Sequence, residues 1–157
     1  MNSSKPKTLK DVVEYALILI SKMSYSKKAL CDKLLKKGYS AEEAQKAVNR
    51  LVELNYLNDE NFAKIYGEYL SKRNKGEYFI KAELEKHEIA PETIHKVLKA
   101  VKNGEEPYIQ ITALLKRKYP KFSNNASEKR KAAAFFTRRG FNLDDILKAF
   151  RHYKEEI

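Results

Sequence analysis

The sequence has 157 residues, of which 43% are apolar, and this is enough for one or two domains with hydrophobic cores rather than a disordered tail. With 32 Lys and Arg against 21 Asp and Glu, the net charge is +11. Helix-forming residues dominate, only 5 glycines and 4 prolines are present, and no segment alternates apolar and polar residues as strands do. The composition therefore predicts an all-α fold.

The positive charge is distributed unevenly along the chain. Residues 1–40 hold 9 basic and 3 acidic side chains, net +6, and residues 102–139 hold 10 and 3, net +7. Residues 41–62 hold 2 basic and 5 acidic side chains, net −3. Such zoning is typical of a protein that faces phosphate or an acidic protein groove, although a role in solubility alone is the alternative.

The most apolar stretch, Val12 to Ile20, predicts the first helix. It follows Thr8, a candidate helix cap, and its apolar residues recur at the spacing of one helix face. The stretch is short, contains Glu14, and lacks a signal-peptide cleavage pattern. We therefore expect a core helix of a soluble, cytoplasmic protein without a membrane segment.

Three segments of the chain can be aligned on Gly38, Glu88 and Gly140, which lie 50 and 52 residues apart. Each follows a predicted helix and precedes an apolar residue, so we expect the chain to reverse direction there. The helix before each reversal carries apolar residues four and eight positions upstream, on one helix face. These are Leu34, Leu84 and Phe136, and then Leu30, Ile80 and Ala132.

Helix-start signals follow each reversal. Ser40 and Glu43 have the spacing of a capping box, Pro91 suits the first helical position, and Asn142 can cap the last helix. A further amphipathic stripe begins each of the later repeats. Its members are Phe62, Ala63, Tyr66, Tyr69 and Leu70 in the second repeat, and Tyr108, Ile111, Thr112 and Leu115 in the third.

The sequence thus predicts about nine helices in three tandem three-helix repeats. The predicted boundaries are residues 1–56, with a short N-terminal tail, then 57–103 and 104–157. A unit of this size buries little surface alone, so neighbouring repeats should share faces in an elongated array. A longer loop, roughly from Tyr119 to Ala126, interrupts the third repeat.

No catalytic, cofactor or metal constellation is present in the sequence, so we expect no enzyme activity. The histidines, His87, His95 and His152, form no metal-ligand pair, and we interpret them as surface residues on helices. The glycines stand singly and form no phosphate-binding loop. The lone Cys31 has leucine neighbours, so we expect it to be a buried small hydrophobic residue. Acid pairs such as Asp144-Asp145 are explained by helix dipoles.

Clusters of basic residues near helix ends are the candidate binding residues. They interleave with Tyr69, Tyr78, Tyr119 and Phe122, and they can bind phosphates with steep salt dependence or pair with carboxylates of a protein. Solvated helix ends are the alternative. The candidates are Lys72, Arg73, Lys75, Lys81, Lys116, Arg117, Lys118, Lys129, Arg130, Lys131, Arg138 and Arg139.

The sequence resembles the RecX family over about residues 9 to 153. The most diagnostic string is Leu54-Asn55-Tyr56-Leu57-Asn58-Asp59-Glu60, followed by Phe62-Ala63 and Tyr66. Supporting matches are Tyr15-Ala16-Leu17, Tyr25-Ser26, Lys33-Leu34, Lys75-Gly76 and Glu83-Leu84. The chain departs from the family pattern at Glu77, where a proline is expected, at Asn74, which replaces a common glycine, and at Ala29, which replaces a frequent glutamate.

The resemblance implies a regulator of the RecA recombinase, and we expect the chain to be a monomer. It implies binding along the groove of a RecA filament on single-stranded DNA, and inhibition of recombinase and ATPase activity by blocked growth or a destabilised filament. One alternative is a nucleic-acid-binding helical module without sequence preference, against which the acids at the starts of the third helices argue. Another is an adaptor that joins proteins through helical repeats.

Overall fold

The computed structural model describes residues 8–123 and 125–156. In those residues the chain forms nine α-helices and no β-strand, as the all-α prediction requires. The first seven residues, which the sequence assigned to an N-terminal tail, lie outside the described residues. The helices are α1 (Leu9–Lys22), α2 (Lys27–Lys37), α3 (Ala41–Glu53), α4 (Asp59–Lys72), α5 (Glu77–Lys86), α6 (Pro91–Gly104), α7 (Pro107–Lys118), α8 (Ala126–Arg138) and α9 (Leu143–Glu155).

The predicted helix starts are confirmed. Thr8 caps α1 and forms a capping box with Asp11. At the start of α3, the hydroxyl of Ser40 accepts from the backbone N–H of Glu43, whose carboxylate accepts from the Ser40 N–H. The side chain of Asn142 caps α9. These contacts satisfy N–H groups that would otherwise lack partners in the first helical turn, and each is typically worth about 1 kcal/mol.

The three aligned reversals also have one backbone geometry. Gly38, Glu88 and Gly140 have φ angles of 108°, 53° and 89°, so each lies in the left-handed region. Glu88 thus takes the conformation of its two glycine counterparts. The six apolar residues upstream of the reversals are all fully buried, with an exposed fraction of 0%. The internal repeat is therefore a repeat of both turn geometry and core positions.

The described chain divides into two compact units, and the first contains residues up to Ala63 together with His87–Ile89. In this unit, α1 and α2 both pack against α3. Its core consists of Val12, Ala16, Leu30, Leu34, Tyr39, Ala44, Ala47, Val48, Leu51 and Leu57. The predicted boundaries at residues 56 and 103 stay a prediction, because α4 contributes residues to both units.

The second unit contains Lys64–Lys86 and Ala90–Ile157. Within it, α5 packs on α6, and α7 and α8 both pack on α9. The largest core cluster is Ile111, Leu114, Leu115, Phe122, Ala132, Phe136, Phe141, Ile146, Ala149, Phe150 and Tyr153. Gly67, in the middle of α4, is buried where a Cβ would overlap the side chain of Val97, so close packing explains this helical glycine.

Three residues, Tyr69, His87 and Cys31, differ from the sequence interpretation in how far they are buried. Tyr69, placed on a buried stripe, keeps 50% of its surface exposed, because the buried face of α4 is occupied by Phe62, Ala63 and Leu70 instead. His87 is not a surface residue on a helix. It follows the end of α5, is partly buried, and its Nδ1 lies 2.6 Å from the Ser26 hydroxyl.

Cys31 is packed against the first core but only partly buried. Burial raises the pKa of its thiol, and the negative charge of Asp32 adds to the effect. The thiolate is therefore disfavoured, which agrees with an unreactive structural side chain.

Within the two described ranges, none of the helices combines the length and apolar character needed to cross a bilayer. In the same part of the chain, no group of three or more His, Cys, Asp or Glu side chains is arranged to hold a metal ion.

Candidate partner-binding surface

The end of α4 and the loop to α5 carry three predicted basic residues, and two of them lie over aromatic rings. The guanidinium of Arg73 is 5.4 Å from the ring centroid of Tyr69, and Nζ of Lys75 is 4.4 Å from that of Phe79. Each contact is worth about 0.5–1 kcal/mol at an exposed site. A ring holds a cation in place without neutralising it, so both charges remain available to an anion.

Arg139, at the end of α8, is tied to the same loop. Its Nε donates to the carbonyl of Asn74 at 2.9 Å, and its Nη2 donates to the carbonyl of Arg73 at 2.8 Å. The backbone carbonyl of Arg139 accepts from the N–H of Gly76 at 2.7 Å. This predicted binding residue is therefore also a structural residue, because it joins the α4–α5 loop to the α8–α9 turn.

Phe135 connects Arg139 with the basic cluster at the end of α7. Its ring centroid is 4.5 Å from Nζ of Lys118 and 5.4 Å from the guanidinium carbon of Arg139. The ring of Tyr119 meets Phe135 edge-on, with centroids 6.1 Å apart. Two cations that are distant in sequence thus share one aromatic platform.

Two clefts in the second unit connect the remaining members. Lys72 and Arg117 line a cleft of about 300 Å³ beside α7. Lys118 and Lys131 line another, of about 270 Å³, between the end of α7 and the start of α8. Together with the ring contacts, these clefts define a set of neighbouring cations that we call the basic surface. Its members are Lys72, Arg73, Lys75, Arg117, Lys118, Lys131 and Arg139.

Five predicted residues do not join these contacts. Lys116 forms an ion pair with Glu156, and its hydrogen bond lowers the pKa of that carboxyl. Nζ of Lys81 lies 3.9 Å from Oε1 of Glu85, one turn further along α5. Lys129, Arg130 and Arg138 are exposed on α8. Among the described residues, these three lie outside the ring contacts and clefts that join the basic surface.

A polar network connects the start of α5, next to the loop that carries Arg73 and Lys75, with α6 and α9. The carboxylate of Glu77, at the start of α5, accepts from Nδ2 of Asn142 at 2.7 Å and pairs with Nζ of Lys102 at 2.8 Å. Partial burial on its own raises the pKa of Glu77, but the hydrogen bonds and charge of these two partners outweigh it and lower the pKa overall. Burial raises the pKa of the neighbouring Asp145, and the charge of Glu77 adds to that shift.

Three residues of this region were missed by the sequence interpretation. Gln110 donates to the carbonyl of Ser71 at 2.7 Å, Phe135 carries the two cations described above, and Lys121 lines the cleft at the end of α7. Lys121 stands between Pro120 and Phe122, so it belongs to no run of consecutive basic residues that would mark it. Phe135 stands beside the fully buried Phe136, and only the phase of the helix distinguishes this partly buried ring from the core ring.

The chemistry that this surface offers is electrostatic and aromatic binding. Fixed cations interleaved with rings can neutralise phosphates, stack on flat groups, or pair with carboxylates. The fold and the surface therefore define an all-α protein, with nine helices in the described residues, that has a cationic and aromatic surface on its second unit.

Comparison with known proteins agrees with the all-α fold and shows the family. Residues 13–51 match the family model described as RecX, first three-helix domain. The chain is 31% identical over 140 residues to the regulatory protein RecX of Caldanaerobacter subterraneus subsp. tengcongensis, covering 89% of this chain and 69% of that protein. It is 33% identical over 141 residues to the protein of the same name from Trichlorobacter lovleyi, covering 86% and 90%.

Solved structures share the fold. The crystal structure of RecX from Lactobacillus salivarius superposes with a TM-score of 0.77 at 21% identity, covering 93% of this chain and 96% of that one. A second crystal structure of a regulatory protein RecX gives a TM-score of 0.74 at 17% identity, covering 94% and 71%. The chain belongs to the RecX family of regulatory proteins.

Proposed function

We propose that this protein regulates the RecA recombinase by binding, as a monomer in the cytoplasm, to RecA filaments on single-stranded DNA. It inhibits recombinase and ATPase activity by blocking filament growth or destabilising the filament. The observation that carries the proposal is the basic surface of the second unit, found in a chain of the RecX family. A nucleoprotein filament supplies both kinds of anion that such a surface can bind, phosphates and acidic side chains.

The starts of α3, α6 and α9 support protein binding over reading of a DNA groove. Recognition helices place basic or polar side chains in their first turns. Here Glu42 pairs with Lys46 at 2.9 Å, and Glu43 is used in the α3 capping box. Asp144 and Asp145 occupy the first turn of α9. Carboxylates in these positions would repel the phosphates that border a groove.

Inhibition also has a thermodynamic requirement. A ligand changes a filament only when it binds one state of the filament more tightly than another. The regulator must therefore have a higher affinity for an arrested or ending filament than for a growing one. Contacts from several repeats to adjacent filament subunits would strengthen such a preference through multivalency.

Titration of RecA ATPase activity on single-stranded DNA tests the proposal. The rate should fall with added protein and reach a plateau at saturating stoichiometry. An unchanged rate at saturation rejects the regulatory function and leaves the alternative, a nucleic-acid-binding module without recombinase regulation.

The alternative, a nucleic-acid-binding module, can also be measured, because a basic and aromatic surface should bind bare single-stranded DNA. Binding to bare single-stranded DNA over a salt series gives the number of phosphates neutralised, because the logarithm of the affinity falls linearly with the logarithm of the salt concentration. Tight, salt-dependent binding to DNA together with an unchanged ATPase rate would support the alternative.

A further inference from the structure

The cleft between the end of α7 and the start of α8 has an apolar wall and a cationic rim. Its volume is about 270 Å³. Tyr119, Pro120 and Phe122 supply the wall, and three lysines supply the rim. The lining residues are Lys118, Tyr119, Pro120, Lys121, Phe122, Glu128 and Lys131.

Two adjacent residues at this cleft, Phe122 in its lining and Ser123 next to it, are held in place by contacts. Phe122 is buried, with its ring centroid 5.2 Å from the centroids of both Phe150 and Tyr153. The backbone N–H and the hydroxyl of Ser123 both donate to one carboxylate oxygen of Glu128, at 2.6 and 2.8 Å. A cleft that is ordered before binding avoids much of the entropy cost of ordering a loop around its ligand.

The charge of the cleft is unbalanced toward the positive. Lys118, Lys121 and Lys131 contribute three cations, and among the described lining residues Glu128 is the one that carries a carboxylate. That carboxylate already accepts two hydrogen bonds from Ser123, and the backbone bond is the larger cause of its lowered pKa. An occupant that brings its own carboxylates would complement the remaining charge.

The size of the cleft fits one large side chain. Sites for small molecules and cofactors enclose about 300–1,000 Å³, so this cleft falls just below their range. A nucleobase carries donors and acceptors around its edge, which the wall of Tyr119, Pro120 and Phe122 would leave largely unpaired. A phenyl ring needs no such partners and meets other rings favourably.

From this geometry we infer that the cleft binds an acidic peptide segment of a partner protein, with an aromatic anchor residue in the cleft and flanking carboxylates on Lys118, Lys121 and Lys131. We take the occupant to be a linear motif, because an extended segment can present one ring with carboxylates on either side to a cleft of this size. The inference does not rest on the RecA proposal, since any partner with this motif would satisfy the chemistry.

Fluorescence anisotropy with synthetic peptides tests the inference on the full chain, without RecA or DNA. The probe is a labelled peptide of aspartates and glutamates around a central phenylalanine. Its control replaces that phenylalanine with serine and keeps the charge. We expect the control peptide to bind at least about tenfold more weakly, because the anchor carries most of the binding energy in such sites.

The matching protein variant is Lys121→Ala with Lys131→Ala, both exposed. Its control, Lys96→Ala with Lys99→Ala, removes the same charge from exposed positions on α6. The cleft variant should weaken peptide binding about tenfold, and the α6 variant should change it less than about twofold. Circular dichroism checks that both variants keep their helical content.

Three results would overturn the inference. The first is equal binding of the phenylalanine and serine peptides. The second is an equal loss of affinity in the cleft and α6 variants, and the third is no binding of the acidic peptide at all. An oligothymidylate that binds in place of the peptide, and loses affinity in the cleft variant alone, would assign the cleft to nucleic acid instead.

Discussion

Gly76 and Gly140 allow two backbone segments to approach more closely than any side chain permits. A Cβ on Gly76 would overlap the backbone of Gly140 and Phe141, and a Cβ on Gly140 would overlap the backbone of Phe79. The approach lets the N–H of Tyr78 donate to the carbonyl of Gly140 at 2.9 Å. Since backbone atoms cannot rotate away as a side chain can, these positions tolerate little change.

The substitution Gly76→Ala should therefore destabilise the second unit by about 1–3 kcal/mol, the usual cost of overpacking. The matched control is Gly104→Ala at the last residue of α6, where nothing lies within 4 Å of a built Cβ. That change should be neutral or stabilising by up to about 1 kcal/mol, since alanine favours helices over glycine. Urea unfolding measures both variants, and equal stabilities would contradict the close approach.

Sequence alone could identify some single-residue features and not others. Glu88 was aligned with Gly38 and Gly140 because the reversal recurs at a nearly constant interval, and all three have positive φ. Asn74, where the family commonly has glycine, likewise has a φ of 60°. By contrast, the approach of Gly76 to Gly140 joins positions far apart in the chain, and no local pattern records such a contact.

At the scale of elements, the ion pair of Glu77 and Lys102 joins the start of α5 to the end of α6, and Asn142 joins both to α9. Because the folded state lowers the pKa of Glu77 below its ordinary value of 4.5, the folded state binds fewer protons there than the unfolded chain does. The ionised carboxylate thus stabilises the fold above pH 4.5, and this contribution is lost as the pH falls through the lowered pKa.

In an Asp145→Asn background, the further substitution Glu77→Gln should lower the free energy of unfolding near neutral pH, because the ionised carboxylate of Glu77 stabilises the fold. The Asp145→Asn background removes the neighbouring carboxyl, whose raised pKa shifts stability in the opposite direction. We expect the difference in unfolding free energy between the two proteins to be constant between about pH 6 and pH 8 and to shrink in acid, where Glu77 becomes protonated. Denaturant unfolding at several pH values measures it, and a difference that grows in acid would contradict the assignment.

Arg138 and Arg139 are adjacent in sequence but differ in role. The guanidinium of Arg139 donates to the carbonyls of Arg73 and Asn74, whereas Arg138 is exposed. Arg139→Ala should cost about 1–3 kcal/mol, because hydrogen bonds from a charged donor are lost. Arg138→Ala should stay within about 0.5 kcal/mol of the parent protein. Thermal unfolding compares the two variants, and equal melting temperatures would refute the structural role of Arg139.

The helices themselves were predictable because their signals are local. Ser40, Pro91 and Asn142 begin the helices that their side chains predicted. The grouping of helices into two units was not predictable, since it depends on contacts between residues distant in sequence. The predicted buried face of α4 was also wrong at Tyr69. This aromatic residue has the spacing of a core position, but it is half-exposed and its ring contacts the guanidinium of Arg73.

For the whole molecule, the distribution of charge matters more than the total of +11. The segment with net +7, residues 102–139, supplies Arg117, Lys118, Lys131 and Arg139 to the basic surface. The zoning was visible in the sequence. Which cations lie close together was not visible, because Lys118 and Arg139 are distant in sequence and both contact the ring of Phe135, whereas Lys116 is paired with Glu156.

Affinity for RecA filaments on single-stranded DNA tests the central proposal most directly. It should be measured by anisotropy for the parent protein, for Arg117→Glu with Lys118→Glu on the basic surface, and for Lys96→Glu with Lys99→Glu on α6. We predict at least about tenfold weaker binding for the first pair and less than about twofold change for the second, because only the first removes contact charges. Equal losses in both variants, or no loss in either, would contradict the proposal.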